Sequence, residues 1–315
     1  MGLNGRHILI IVSIAICLKL LYVLFAVVVS NTGTHFENDY LYKVDSLKFN
    51  SSLGNFSFRH DAGWYEKIAR DGHHKITPDL LKPDKTVWRQ SYYAFFPLYP
   101  FTIAAIQNCF GLGFHTSAIL LAFILSLAAF VVFYAFARAF TKSDTIALLA
   151  TVVLMVSPFT FYYSMAMTEA YFLLLLTGSF IAVHKKNILF MLLLPGFLVL
   201  TRVNGIVMLL PLGLYYLEKH VFEGSWRLPV ANDFKKLLPG FALLSMPVVF
   251  IGYCFYLKEM TGDFFAFSTA QAGWGKAYAN PLMVLLKPEG WRWAIEAGIT
   301  IGVLALSLFH RKKYL

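Results

Sequence analysis

The feature that most constrains this chain is a series of long apolar runs with almost no charge in them. The first run, Ile8 to Ser30, contains a single charged residue, Lys19. A transmembrane helix needs roughly 20 apolar residues to cross about 30 Å of hydrocarbon, so this run is long enough. It is too long for the core of a signal peptide, and no small-x-small cleavage site follows it, so we interpret it as a retained span. Further runs lie at about 96–112, 116–137, 145–161, 167–183, 187–200, 203–217, 237–257 and 291–309.

These runs predict an all-α, polytopic membrane protein forming a single membrane-embedded domain over residues 1–315. The run at 96–112 begins at Phe95-Phe96-Pro97 and ends near Gly111 and Gly113. A full crossing there would put the basic residues that follow it on the wrong side of the membrane, so we predict a re-entrant or interfacial helix. That leaves about eight full spans. The sequence shows no convincing internal repeat, which weakens the case for a transporter built from inverted halves.

The net charge of +10 would by itself be compatible with nucleic-acid binding. Only 14% of the residues are charged, however, whereas a soluble domain carries about 25%. The basic residues lie mostly in short connections between apolar runs, where the positive-inside rule puts them. They are Arg6, Arg138, Lys142, Lys185, Lys186, Lys219, Arg227, Lys235, Lys236 and Arg311 to Lys313. We therefore expect no nucleic acid and a lipid bilayer as partner.

The same distribution of basic residues sets the expected orientation, with the N-terminus on the cytoplasmic side. The large loop at 31–91, the turns at 160–169 and 201–204, and the loop at 258–290 are then outside. The 31–91 loop holds about half of the 17 acidic residues and is rich in aromatic residues. Such a composition is not that of a disordered linker.

A short amphipathic helix is predicted inside the first outer loop, after Asp61. Asp61 is a good N-cap residue, and Gly72 is a good residue to end the helix. Trp64, Tyr65, Ile68 and Ala69 share one face, so the helix could lie along the membrane surface. Two interpretations of Asp61 stay open. Its local pattern favours a simple cap, and the alternative is a carboxylate that takes a proton from an acceptor hydroxyl.

The histidine and cysteine patterns give no metal signature. His60, His73 and His74 lie near acidic residues, but their spacing matches no zinc site, and solvated loop histidines are the better interpretation. The 3 cysteines lie far apart inside apolar runs, which argues against a disulfide framework. We expect them to be small buried apolar residues, and they are Cys17, Cys109 and Cys254.

Two charged residues beside apolar runs stand out, because a charge near lipid is costly. Glu169 opens one run, where the helix dipole alone could explain it. Arg202 lies between two runs and is either a snorkelling interface arginine or a ligand for a lipid-linked phosphate. The predicted topology puts both on the same side as Asp61. The loop at 264–276 is on that side too, and its aromatic and polar residues suit a sugar site or an interface belt equally well.

At these positions the chain resembles the PIG-V-type mannosyltransferases, relatives of the enzyme that adds the second mannose of GPI anchors, within the GT-C class of membrane glycosyltransferases. The order and spacing of the motifs are more specific than any one motif. The chain departs from the family pattern at His60, where Trp is usual, and at Ala170, where Ser is usual. Family members also tend to continue past the position of residue 315, which leaves room for missing terminal helices. The motifs are Asp61-Ala62-Gly63-Trp64-Tyr65 with Ile68-Ala69 and Gly72; Ala94-Phe95-Phe96-Pro97-Leu98-Tyr99-Pro100; Thr168-Glu169-Ala170-Tyr171-Phe172; Arg202-Val203-Asn204-Gly205; and, more weakly, Gln271 with Trp274.

The resemblance implies a GT-C-like bundle of about eight or nine transmembrane helices. It also implies a hexose donor linked to polyprenyl or dolichyl phosphate, and the family suggests that the hexose is mannose. It implies an inverting single displacement onto a hydroxyl of a glycan or glycolipid acceptor, with no cofactor. Asp61 would be the general base, Arg202 would hold the donor phosphate, and Glu169 would orient a sugar hydroxyl or Arg202. The remaining implied substrate-binding residues are Phe95, Phe96, Tyr99, Asn204, Gln271 and Trp274.

Two other functional classes remain open at this point: a transporter or flippase of a lipid-linked sugar, and a non-catalytic subunit that keeps the fold. Transporters place their ionisable groups near the bilayer midplane, whereas here the acidic residues concentrate in the outer loop, which favours surface chemistry.

The expected location is a bacterial inner membrane with the site facing the periplasm. The alternative is the endoplasmic reticulum membrane with a lumenal site, where the sequons at Asn50 and Asn55 would matter.

Overall fold

The computed structural model describes residues 4–31, 57–58, 61–82, 90–224, 231–276 and 295. These residues form helices and turns, and none of them forms a strand, which confirms the all-α prediction for this part of the chain. Most of the large first loop, including His60 and both sequons, lies outside the described residues. The last predicted span, at 291–309, lies outside them too, apart from Ile295.

Twelve α-helices follow one another along the described residues. They are α1 Gly5–Asn31, α2 Ala62–Asp71, α3 Leu98–Phe110, α4 Phe114–Thr141, α5 Asp144–Val156, α6 Glu169–Lys185, α7 Ile188–Val199, α8 Asn204–Val207, α9 Leu209–Tyr216, α10 Ala231–Leu237, α11 Ser245–Thr261 and α12 Ala266–Thr269. Short 3₁₀ turns connect several of them, at Pro78–Leu81, Tyr92–Ala94, Thr160–Ser164, Leu238–Leu244 and Ala270–Trp274. A π-helical turn, Leu217–Val221, continues α9.

Among the described residues, three helical stretches are long and apolar enough to cross a membrane: Gly5–Phe25, Phe114–Thr141 and Phe234–Thr261. The helices α5 and α7 are apolar but shorter. At about 1.5 Å per residue, the 13 residues of α3 cover roughly 20 Å, less than the about 30 Å of hydrocarbon. The helices α5 and α7, which the sequence predicts to be full spans, are equally short, with 13 and 12 residues.

The long helix α4 lies at the centre of the bundle and packs against α1, α5 and α6. Its buried face carries small residues, among them Ala118, Ala122 and Ala129. Small side chains let helix backbones approach closely, which is how helices associate where the solvent is itself apolar.

The one charged residue of the first apolar run is accommodated by neighbouring segments. Lys19 donates from Nζ to the Ser164 hydroxyl at 3.2 Å. The same ammonium group lies 5.5 Å from the centre of the Phe123 ring. Lys19 therefore fastens α1 to α4 and to the turn that precedes α6.

The predicted amphipathic helix is α2, and it packs on protein. Tyr65 is buried with Tyr99 and Ile103 of α3, and Ile68 is buried as well, so the apolar face does not lie on a membrane surface as expected. Glu66, which belongs to the polar face in the sequence pattern, is also buried, at 7% exposed. The end of the helix is as predicted, because Gly72 adopts a positive φ of 68°.

The cysteine prediction is only partly right. Cys254 is buried as expected, but Cys17 and Cys109 are exposed. All three are free thiols. A helix that is apolar on every side gives no periodicity from which an inner face can be told from an outer one, which is why the expectation failed.

Candidate active site

The segment before α3 is held in place by bonds from three other parts of the chain. The Leu98 N–H donates to the Leu200 carbonyl at 3.0 Å, at the end of α7. The Tyr253 hydroxyl donates to the Phe95 carbonyl at 3.3 Å. The Gln271 amide donates to the Ala94 carbonyl at 3.5 Å. These bonds bring the aromatic residues of this segment beside the turn that carries Arg202.

Arg202 lies in the tight turn between α7 and α8. Its carbonyl accepts a hydrogen bond from the Gly205 N–H at 2.8 Å. A Cβ at position 205 would lie 2.4 Å from the Leu198 carbonyl oxygen, a distance that real side chains do not show. Only glycine therefore lets α8 come back so closely against the end of α7, and this approach sets the position of Arg202.

Glu169 is the first residue of α6 and is bonded to Arg202. Its Oε1 accepts from Nη1 of Arg202 at 2.9 Å. The positive end of the α6 dipole stabilises the carboxylate at this position. The other oxygen, Oε2, is buried and has no hydrogen-bond partner among the described residues. The pair therefore has one unused acceptor site.

A cavity of about 500 Å³ opens in front of Arg202. It is lined by Asp61, Tyr65, Ala94, Phe95, Phe96, Thr201, Arg202, Val203, Phe267, Ser268, Gln271, Trp274 and Lys276. Most of the predicted site residues thus meet in one place. Glu169 and Tyr99 do not line the cavity and lie behind its wall, Glu169 bonded to Arg202 and Tyr99 packed against Tyr65 at 5.2 Å between ring centres.

Asn204 is a third predicted site residue that does not line this cavity, and no hydrogen bond or ring contact among the described residues ties it to the cavity wall as Glu169 and Tyr99 are tied. It is exposed at the start of α8 and is not among the lining residues. In the motif Arg202-Val203-Asn204-Gly205, the residue after Asn204 has the clearer structural role. Gly205 allows the close approach between α8 and the end of α7 that the turn needs.

One wall of the cavity is aromatic. Phe95 stacks on Trp64, with ring centres 5.9 Å apart and ring planes 16° from parallel. Trp274 meets both of these rings edge-on, at 5.6 Å from Phe95 and 5.7 Å from Trp64. Flat aromatic faces beside polar groups suit the apolar face of a sugar ring.

Asp61 occupies the N-cap position of α2 without using its carboxylate as a cap. Its backbone carbonyl accepts from the N–H groups of Trp64 and Tyr65, at 3.0 and 3.2 Å. Its side chain makes no capping hydrogen bond. The residue also lines the cavity, so the capping interpretation of the Asp61 side chain is not the one that the structure shows.

Tyr65 brings a hydroxyl to the same cavity, one helical turn after Asp61. Burial raises the pKa of this hydroxyl well above its usual value, the charge of Asp61 adds to the rise, and Arg202 opposes it. The hydroxyl is therefore protonated at neutral pH and can donate a hydrogen bond. The sequence pattern assigned Tyr65 only to the apolar face, although its i, i+4 spacing from Asp61 predicts that the two are neighbours.

Two buried polar atoms behind the cavity wall have no hydrogen-bond partner among the described residues: Tyr99 Oη and Glu169 Oε2. The two groups are near each other, since the charge of Glu169 acts on the Tyr99 hydroxyl. Buried polar groups are nearly always satisfied, so unsatisfied ones grouped together indicate a place for water or ligand hydroxyls.

One histidine of the first loop differs from the expectation, whereas His74 is exposed as expected. His73 is buried rather than solvated, and its ring stacks on Tyr93 at 5.1 Å between ring centres. Its Nδ1 lies 3.2 Å from the Tyr256 hydroxyl. Burial lowers the pKa of the imidazole to about 4, and the nearby His74 acts in the same direction. Within the described ranges, no group of three or more His, Cys, Asp or Glu side chains is placed to hold a metal ion.

The sequence also missed several lining residues. Thr201 and Val203 flank Arg202, so their presence follows once Arg202 is assigned. The loop at 264–276 contributes Phe267, Ser268 and Lys276. The sequence left two interpretations of this loop open, a sugar site and an interface belt. These residues lie at the cavity because of the path that the chain takes after α11, and no local sequence pattern encodes that path.

Comparison with known proteins identifies no relative of this chain. A scan against protein-family models, a search of curated proteins and a search of solved structures all return no match for this chain. The resemblance to the PIG-V-type mannosyltransferases therefore rests on the motifs and on their order in the sequence.

Proposed function

We propose that this protein is a membrane glycosyltransferase of the GT-C type. In this proposal it transfers a hexose, mannose, from a polyprenyl- or dolichyl-phosphate carrier to a hydroxyl of a glycan or glycolipid. The observation that carries the proposal is the presence of the Asp61 carboxylate and the Arg202 guanidinium in one cavity of about 500 Å³ beside an aromatic wall. Cavities of roughly 300–1,000 Å³ with a few converging polar groups are the usual form of a small-molecule site.

The proposed reaction is a single displacement at the anomeric carbon. The acceptor hydroxyl gives its proton to Asp61, and its oxygen forms a bond to the anomeric carbon. The bond from that carbon to the carrier phosphate breaks, and the phosphate leaves with the electron pair. Arg202 stabilises the negative charge that develops on the departing phosphate, for which a planar guanidinium with several donors is well suited. Attack from the face opposite the phosphate inverts the configuration.

Glu169 is proposed to fix the guanidinium of Arg202 in the direction of the cavity. Its Oε1 already holds Nη1 at 2.9 Å, which leaves the other nitrogens of Arg202 for phosphate. Phe95 and Trp274 would face the sugar ring, and Gln271 and Tyr65 would hydrogen-bond its hydroxyls. These roles follow from the lining of the cavity.

The proposed setting is a bundle of about eight or nine transmembrane helices with the site on the outer face. The long apolar helices and the basic connections support it. The preferred membrane is a bacterial inner membrane with the site in the periplasm, and an endoplasmic reticulum membrane with a lumenal site is the alternative. Cysteines placed at Ser52 and at Lys186, in a cysteine-free background, test the orientation. An impermeant reagent should label them from opposite sides.

The function is tested with purified protein in liposomes, a panel of polyprenyl-phosphate sugars and glycan or glycolipid acceptors. We expect transfer from one of these donors, with loss of transfer in Asp61→Asn. The matched control is Asp79→Asn, which neutralises an exposed carboxylate away from the cavity and should leave transfer unchanged.

The same liposomes separate this proposal from the transporter class. Movement of a lipid-linked sugar between the leaflets, with no transfer from any donor to any acceptor, would contradict the enzyme proposal and favour a flippase.

A further inference from the structure

The end of the bundle away from the cavity gathers basic side chains from three connections. The helix α6 begins with Glu169 behind the cavity wall and ends at Lys185, roughly 25 Å away at about 1.5 Å per residue. At that far end, the turn after α4, the turn after α6 and the π-helical turn after α9 meet. The basic cluster consists of Lys142, His184, Lys185, Lys186, Lys219 and His220.

Specific contacts hold this basic cluster together. His184 Nδ1 lies 2.6 Å from the Tyr215 hydroxyl. The Lys219 ammonium lies 6.0 Å from the centre of the same tyrosine ring. His220 Nε2 lies 2.7 Å from the Val183 carbonyl oxygen, which ties the π-helical turn to the end of α6. These contacts fix His184, Lys219 and His220 in place, and the exposed lysines Lys142, Lys185 and Lys186 lie in the turns beside them.

The charges that surround His184 are all positive. Burial is the main cause that lowers the pKa of its imidazole, and Lys219, His220, Lys185 and Lys142 each lower it further. Two nearby carboxylates have other partners, since Asp144 bonds Arg138 and Glu223 accepts from Lys236 at 2.6 Å. A third carboxylate, Glu218, belongs to the π-helical turn itself. The four lysines of the basic cluster outnumber it, so the cluster keeps a net positive charge.

The backbone at the basic cluster is also unusual. Lys142 and Lys186 end their helices with positive φ angles of 55° and 54°, a conformation that normally calls for glycine. The neighbouring Leu217–Val221 turn is π-helical, a form that is rare and often found at functional sites. Strained residues that are kept in place of glycine point to a role for their side chains.

The surface beside the basic cluster is apolar and exposed. Ile188 and Leu189 directly follow the α6–α7 turn and are 55% and 60% exposed, and Phe140 on the α4 side is 41% exposed. A ligand that suits both surfaces has an anionic head and hydrocarbon tails.

We propose that the basic cluster binds the phosphate of an anionic phospholipid headgroup, with the acyl chains against the exposed apolar residues of α4 and α7. Basic pockets between helices at the cytoplasmic side are suited to such headgroups. The positive-inside rule accounts for lysines in these connections, but it does not require them to converge on one imidazole. The site is separate from the cavity at Arg202 and does not depend on the proposed transferase activity.

The test measures thermal stability of the full chain in neutral detergent during titration with phosphatidylglycerol, phosphatidylcholine or inorganic phosphate. We expect saturable stabilisation by phosphatidylglycerol only. The double variant Lys142→Gly with Lys186→Gly should raise the midpoint of the phosphatidylglycerol titration roughly thirtyfold, because it removes two lysines from the headgroup. Without lipid, the same variant should be at least as stable as the wild type, since glycine relieves the left-handed backbone.

The matched control is Lys75→Gln with Lys258→Gln, which removes the same charge outside the basic cluster and should bind phosphatidylglycerol like the wild type. Three outcomes would overturn the proposal. They are equal stabilisation by phosphatidylcholine, full stabilisation by inorganic phosphate alone, and an unchanged phosphatidylglycerol midpoint in the glycine double variant.

Discussion

Nη1 of Arg202 lies 2.9 Å from Oε1 of Glu169, although 33 residues separate the two in the chain. Their side chains are 39% and 23% exposed, so the ion pair itself contributes little to stability, on the order of 0–1 kcal/mol. What the contact does is fix the direction of the guanidinium toward the cavity. A phosphate that enters the cavity would then find Arg202 already oriented, which lowers the entropy lost on binding.

The first prediction concerns Arg202. Arg202→Ala should abolish productive use of a lipid-phosphate donor, and Arg202→Lys should restore only part of it, because an ammonium keeps the charge but cannot grip phosphate with two parallel bonds. The measurement is the steady-state rate of sugar transfer against donor concentration. The control is Arg70→Ala, which removes an exposed arginine paired with Asp71. Wild-type kinetics in both Arg202 variants at normal expression would return Arg202 to the role of an interface anchor.

The sequence predicts that Asp61, Glu169 and Arg202 lie on one side of the membrane, because the basic connections place Glu169 and Arg202 on the same side as the loop that carries Asp61. In the structure, Asp61 and Arg202 line one cavity, and an ion pair joins Glu169 to Arg202. Phe95 and Trp274 were implied by the family resemblance, and both line the same cavity.

Other parts of the site depend on tertiary packing that local patterns do not carry. Glu66 follows the polar spacing of α2, yet it is buried because α2 packs into the bundle. His73 looked like a solvated loop residue and is buried against Tyr93 for the same reason. Lys276 reaches the cavity only because the chain turns back after α11. Periodicity identifies which residues share a face, but not what that face meets.

The second prediction concerns Gly205. Gly205→Ala should lower the free energy of unfolding by roughly 1–3 kcal/mol, since the new methyl group would meet the Leu198 carbonyl oxygen at 2.4 Å and the backbone must shift. The shift displaces the turn that carries Arg202. The rate of sugar transfer should therefore fall by more than the loss of folded protein explains. Thermal unfolding in detergent and the transfer rate are measured on the same preparation.

The control for Gly205 is Gly213→Ala on α9. A Cβ at position 213 meets nothing within 4 Å, so this change should leave transfer intact and stabilise the helix slightly. If Gly205→Ala is as stable and as active as Gly213→Ala, the close approach at residue 205 does not set the position of Arg202.

The third prediction concerns pH. The folded protein holds the pKa of His73 at about 4, below the usual value of 6.5 for an exposed histidine, so the unfolded chain takes up a proton first as the pH falls. The stability that the neutral imidazole provides is therefore full above about pH 6.5 and is lost as the pH falls toward about 4, by at most about 3 kcal/mol.

His73→Gln removes this titration, so its melting temperature should fall less between pH 7.5 and pH 5 than that of the wild type. His74→Gln is the matched control, because His74 is exposed beside His73 and should keep most of the wild-type slope. Equal slopes in the wild type and His73→Gln would show that His73 titrates normally in the folded protein.

The last prediction is that Asp61 is the general base. Its carboxylate lines the cavity and makes no capping hydrogen bond to α2, so Asp61→Asn should leave the melting temperature close to that of the wild type. The amide cannot accept the acceptor proton, so transfer should fall by roughly a hundredfold or more. Asp61→Ser should behave alike, since serine is a good N-cap residue but no base.

Asp79→Asn controls for the loss of one negative charge and should retain full activity. If Asp61→Asn transfers sugar at nearly the wild-type rate, the base lies elsewhere, and Glu169, whose Oε2 is buried without a partner among the described residues, becomes the next residue to change.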